Sequence, residues 1–176
     1  MSFYLVFNKR FSMAHRLIAS ETHKCFIPHG HNEYVKAKIT ASVPKYMDHS
    51  INMVEQFDKI KKEWHVFIDT QIDHGFQLSD KDPLIDYFRN HEPDKLSSLV
   101  ITPGDPTTEI MCACLMSKLQ VLMDNKQLNL QCVELQLEET PTNYVILEGY
   151  KSYEKHLPKG SFWWNRPDHT INDFTL

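Results

Sequence analysis

Three histidines carry the first chemical signal in this chain. His29 and His31 stand two apart in the run HGH. In extended backbone such residues point to the same side, so both imidazoles can converge on one ion. Gly30 between them lets another backbone approach closely. His15 closes an earlier extended segment and supplies a third nitrogen if a hairpin brings it alongside. Three neutral imidazoles suit Zn²⁺, and three protein ligands leave a position open for water or substrate. The bland alternative is a set of ordinary histidines, because HxH spacing is common by chance.

Other reactive pairs surround this set. Cys25 lies four residues before His29. A thiol near a metal and imidazoles ionises more easily and becomes a base or nucleophile; otherwise it is a half-buried structural cysteine. Asp73 followed by His74 can form a carboxylate–imidazole proton shuttle, or be a plain loop dipeptide. Glu109 falls in the first turn of an expected helix, where a carboxylate also complements the helix dipole. Glu138 and Glu139 end an apolar strand. Cys112 and Cys114, two apart on a helix, differ by about 200° of rotation and cannot share a ligand. Cys114 reads as core and Cys112 as the margin of the core.

The elements that must position these groups follow from periodicity. Residues 3–15 alternate as a strand (Phe3, Leu5, Phe7, then Phe11, Met13, His15), and 16–32 form a histidine-rich loop broken by Pro28 and Gly30. Residues 33–43 alternate cleanly through Val35, Ala37, Ile39, Ala41 and Val43. A helix is predicted over 54–68 from Val54, Phe57, Ile60, Trp64 and Ile68. Residues 72–98 read as irregular, with a short helix around Leu84–Arg89. Asp105 and Pro106 look like the cap and first-turn residue of a helix running to about Met123. Strands follow at 132–138 and 144–151. The order gives an α+β fold: a four-stranded antiparallel sheet with two helices on one face. Its two open edges invite pairing with other subunits. The tail, 152–176, carries Phe162, Trp163, Trp164 and Phe174 without periodicity.

Composition narrows the function classes. The 176 residues favour a single domain, with 41% hydrophobic and 24% charged residues. Net charge is -4, from 19 Lys+Arg against 23 Asp+Glu. Without a basic run, nucleic acid is not an expected partner. No stretch is long and apolar enough for a membrane span, and the start reads as a strand rather than a signal peptide. The four cysteines show no disulfide-framework spacing, which fits a reducing, cytoplasmic setting.

FSMAH (11–15), CFIPHGHN (25–32), IDHGFQL (72–78), PTTE (106–109) and EETPTNYVILEGY (138–150) resemble, as an ordered set, the 6-pyruvoyl-tetrahydropterin synthase / 6-carboxy-tetrahydropterin synthase family. The resemblance covers roughly residues 3–151 and leaves 152–176 as an aromatic extension of unassigned role. It implies that His15, His29 and His31 bind Zn²⁺. It implies Cys25 as catalytic base, Asp73 and His74 as the rest of a proton relay, and Glu139, helped by Glu109, as the pterin anchor. It implies the tunnelling fold, with subunit sheets joined into a barrel. A homo-hexamer of two trimers with active sites between subunits is the expected assembly. The implied substrate is 7,8-dihydroneopterin triphosphate. Three residues separate Cys25 from HGH, a short spacing similar to the bacterial 6-carboxy-tetrahydropterin synthases of queuosine synthesis; the animal 6-pyruvoyl enzymes carry a longer one. One departure is VEQF (54–57), where the family usually has V-x-D-F, so Gln56 replaces an acid. A zinc hydrolase and a non-catalytic pterin-binding homologue are the alternatives of other classes.

Overall fold

A computed structural model describes residues 3–19 and 24–173. Residues 20–23 of the expected loop, and Phe174 of the tail, lie outside them. The chain runs β1 (Leu5–His15), β2 (His29–Ala41), α1 (Phe57–Phe67), β3 (Gly75–Ser79), α2 (Leu84–His91), β4 (Leu99–Thr102), α3 (Thr108–Asn125), β5 (Leu130–Thr140) and β6 (Asn143–Glu148).

The sheet has six strands, in the order β4-β3-β1-β2-β5-β6, where the sequence suggested four. It is also mixed: β1–β3 and β3–β4 pair in parallel, the rest antiparallel. Of the two extra strands, β3 falls in the stretch read as irregular and β4 lies just past it, in residues assigned to no element. Their five and four residues are almost all buried, and short strands covered on both faces show no polar alternation to read.

Alternation sorts the sheet into two faces. Phe7, Phe11, Val35, Ala37, Ile39, Leu135 and Leu137 pack with Ile60, Trp64 and Phe67 of α1 and with Met111, Leu115 and Leu119 of α3. These two helices cover one face, as expected. Helix α2 covers the β3–β4 end of the other, where Ile85 meets Leu78, Leu99 and Ile101. Cys112, expected at the margin of the core, is fully buried, and its thiol donates to the Leu135 carbonyl at 3.3 Å.

The start of α3 also differs from expectation. Thr107, not Asp105, is the N-cap, and its hydroxyl accepts from the Ile110 amide. The Asp105 carboxylate is drawn instead to the Ile18 and Ala19 amides, at 2.9 and 2.8 Å. It ties the chain after β1 to the start of α3.

The tail is bound to the domain. Trp163 and Trp164 join the main core behind α3, and the Trp163 indole donates to the Ile101 carbonyl at 2.7 Å. The Ile101 amide in turn donates to the Ile171 carbonyl, which covers part of the β4 edge. Lys118, 0% exposed in α3, donates to the carbonyls of Arg166 (2.8 Å) and Asp168 (2.6 Å). Its ammonium also sits 5.0 Å above the Phe67 ring. No helix among the described residues is long and apolar enough to cross a membrane.

Candidate metal and substrate site

Strand register builds the histidine cluster. In the β1–β2 ladder His15 stands opposite His29, and Met13 opposite His31. All three imidazoles therefore emerge on the helix-covered face. Gly30 makes this possible: a Cβ there would lie 2.7 Å from the Met13 carbonyl oxygen. One ring nitrogen from each histidine falls within 4.8 Å of the others.

The donor set fits a cation. His15 Nδ1 lies 3.1 Å from the Pro106 carbonyl, and His29 Nδ1 lies 2.9 Å from the Ile27 carbonyl. Carbonyls only accept, so each Nδ1 carries the proton and each Nε2 presents a lone pair. Those two Nε2 atoms face each other at 3.0 Å. Two lone pairs so placed repel unless a positive centre lies between their axes. Two imidazole nitrogens on a tetrahedral zinc are about 3.3 Å apart, close to this spacing. His15, only 3% exposed, is held below its ordinary pKa, first by burial and then by its histidine neighbours, against the pull of the Pro106 carbonyl and Glu139. A neutral imidazole is the form that binds a metal. The carbonyl partners also fix ring orientation, as the outer partners of metal-binding histidines do.

Glu139 belongs to this cluster. Its carboxylate lies 3.9 Å from His15 Nε2 and remains partly exposed. Asp73 and His74 pair with each other rather than with the cluster. Asp73 accepts from the Ser12 amide at 2.7 Å and pairs with His74 Nδ1 at 3.0 Å. Burial pushes the Asp73 carboxyl up, but the Ser12 amide and His74 together hold it below its ordinary value. His74 sits in the left-handed region at φ 63°, and its amide donates to the Ser12 carbonyl. Its ring is exposed, and among the described residues neither member of the pair hydrogen-bonds the three histidines. Cys25, half-buried, lies in a short 3-10 turn (Lys24–Phe26), with its carbonyl accepting from Leu17. Glu109 is exposed in the first turn of α3.

Arg16, next to His15, is a cation close to the cluster. Its guanidinium makes a bidentate pair with the buried carboxylate of Asp82, so it fixes the chain leaving β1. A cavity of about 600 Å³ lies elsewhere, between the start of β1 and the loop before α1. Gln56 lines it. It occupies the N-cap of α1 without a side-chain capping bond.

Two buried polar side chains near the histidines escaped the sequence reading. Glu33 continues the HGH face at the next alternate position and is 2% exposed. Among the described residues its Oε2 has no hydrogen-bond partner. The β2–β5 register, with Tyr34 opposite Glu138, sets Glu33 beside Glu139. Burial and that neighbour push the Glu33 carboxyl up to about 8. Gln77 pairs with His15 in the β1–β3 ladder and is 0% exposed, with neither amide atom partnered among the described residues. Glu33 was visible as a charged residue at a core position of the 33–43 alternation; Gln77 lay in the unrecognised strand.

Comparison with known proteins shows the family. The family model described as 6-pyruvoyl tetrahydropterin synthase matches residues 4–150, and the chain belongs to that family. A relative from Halobacterium salinarum, described as a probable 6-carboxy-5,6,7,8-tetrahydropterin synthase, is 30% identical over 132 residues; the match covers 75% of this chain and 77% of the relative. Among solved structures, an uncharacterized Wolinella succinogenes protein superposes with a TM-score of 0.68 at 18% identity, covering 84% of this chain and 98% of its own. The 6-pyruvoyl tetrahydropterin synthase of Caenorhabditis elegans gives a TM-score of 0.56 at 24% identity, covering 85% of this chain and 96% of its own. Family membership supports an enzyme of the tetrahydropterin synthase type.

Proposed function

We propose that the chain is a zinc-dependent 6-carboxy-5,6,7,8-tetrahydropterin synthase. It converts 7,8-dihydroneopterin triphosphate and water to 6-carboxytetrahydropterin, acetaldehyde and triphosphate, in the service of queuosine-type 7-deazapurines. The observation that carries this reading is the pair of facing Nε2 lone pairs of His15 and His29, joined by His31 and flanked by Glu139. The Halobacterium relative's description and the short Cys25–HGH spacing favour this branch.

In this reading His15, His29 and His31 hold the ion. A zinc ion there supplies Lewis acidity to the hydroxyls of the substrate side chain. Cys25, as thiolate, removes a proton from that side chain. His74, steered by Asp73, returns or relays one. Glu139 accepts two adjacent N–H donors of the pterin ring, the pattern a carboxylate matches, and Glu109 assists. The exposed His74 is delivered to the histidine cluster of a neighbouring subunit, in a hexamer of two trimers whose sheets join into a barrel. Residues 1–151 form the catalytic domain, followed by the aromatic extension 152–176.

Incubation of the zinc-loaded protein with dihydroneopterin triphosphate, with products read by mass, tests the proposal. The expected product is 6-carboxytetrahydropterin with acetaldehyde. Loss of triphosphate alone, to a 6-pyruvoyl product, would move the protein to the sister activity. Binding without turnover would make it a pterin-binding homologue, and simple phosphate or ester hydrolysis a zinc hydrolase.

A further inference from the structure

Glu33 has no place in the scheme above, yet its position is costly. A buried carboxyl beside a second carboxyl on the neighbouring strand is destabilising. Here Phe11 flanks Glu33 on the β1 side and Glu139 stands on the β5 side, so neither strand offers it a cation. Among the described residues its Oε2 is left without a donor. Contrast Gln120, equally buried, whose amide is fully used by Asp124, Leu130 and Cys132. A side chain so placed is open to a donor that the described residues do not supply.

The proposed substrate class carries that donor. A carboxylate at Glu139 takes the ring N–H and one N–H of the adjacent exocyclic amino group. The second N–H of the same amino group then points away and needs another acceptor. We infer that Glu33 is a substrate-binding residue whose Oε2 accepts this second amino N–H, so that Glu33 and Glu139 together select a 2-amino pyrimidinone ring over its 2-oxo or N-alkylated counterparts. This assignment rests on the pterin reading of the site.

The test is binding by the zinc-loaded protein, followed through pterin fluorescence. A pterin is compared with its N2-methyl and 2-oxo analogues. Wild type binds the analogues about ten-fold or more weaker, the discrimination one unpaired buried polar group confers. Glu33→Met binds the pterin about ten-fold weaker and loses most of that discrimination, with zinc content unchanged. Glu33→Gln, which keeps a carbonyl acceptor, stays within about three-fold of wild type. Equal affinities for pterin and N2-methyl pterin in wild type would overturn the assignment without any variant. So would a Glu33→Met protein that binds as wild type does, or one that loses zinc. Wild type that binds no pterin at all would overturn the proposed function and this assignment together.

Discussion

His15 Nε2 and His29 Nε2 face each other at 3.0 Å, while the Nδ1 of each ring is committed to a backbone carbonyl. The ladder of β1 and β2 sets the rings opposite one another, and the carbonyls of Pro106 and Ile27 set their tautomers. Neither ring can donate to the other, so the pair is arranged for a cation.

Removal of one ring therefore abolishes the site. His29→Ala is expected to lose stoichiometric metal and the stabilisation that added zinc confers on wild type. Metal analysis of the purified protein checks this; one zinc per chain in the variant would overturn the ligand set.

Cys25→Ala is expected to keep zinc and fold but to lose turnover by about 10²-fold or more, the range typical for a positioned proton-transfer group. Full activity would remove Cys25 from the mechanism and favour a hydrolytic reading.

Gln56 holds the N-cap of α1 with φ -72° and ψ 127° but makes no capping bond. An aspartate there can accept from the first-turn amides. Gln56→Asp is expected to stabilise the protein by about 1 kcal/mol, raising Tm by about 2–4 °C for a chain of this size. A lower Tm would show that the side chain has another role.

Lys118 supplies the pH signature. Burial, against the pull of Asp168, lowers its pKa from 10.5 to about 8. Between those values the unfolded chain binds the proton and the folded one does not, so this group's contribution to stability rises as pH increases from about 8 to 10.5. Lys118→Met should lose that rise. It should also be less stable at neutral pH by about 1–3 kcal/mol, because the Arg166 and Asp168 carbonyls lose their donor. Thermal melts of both proteins across this range would reveal parallel curves if Lys118 were not the source.

The legible parts of the fold were those with a period. The β2 alternation and the apolar stripe of α1 were readable because each buries one side only. Strands β3 and β4 were not, since Leu78 and Val100 sit in segments covered from both faces. At the site, the HGH spacing marked a shared side in extended chain, although 29–32 were read as the end of a loop and β2 begins at His29; His15 followed from the alternation of β1. The partner of His15, the Pro106 carbonyl, carries no side-chain signal at all. Asp105 was misread as a cap because sequence does not show that Ile18 and Ala19 compete for its carboxylate. Glu33 was overlooked because the alternation was counted from Val35, one step past it.

Strand β1 is longer than its parallel partner. Only Met13–His15 pair with β3, so on that side the backbone of Leu5–Phe11 has no strand partner among the described residues. At the far side of the sheet, β6 is the last strand, with Tyr144 and Ile146 exposed. Through β2 and β5 the two segments run in opposite directions. A second copy laid edge to edge would thus meet β6 with an antiparallel β1, a head-to-tail contact rather than a two-fold one. Contacts of that kind either close into a ring or continue as a fibre. The sheet's own twist per subunit would decide how many copies complete the circle.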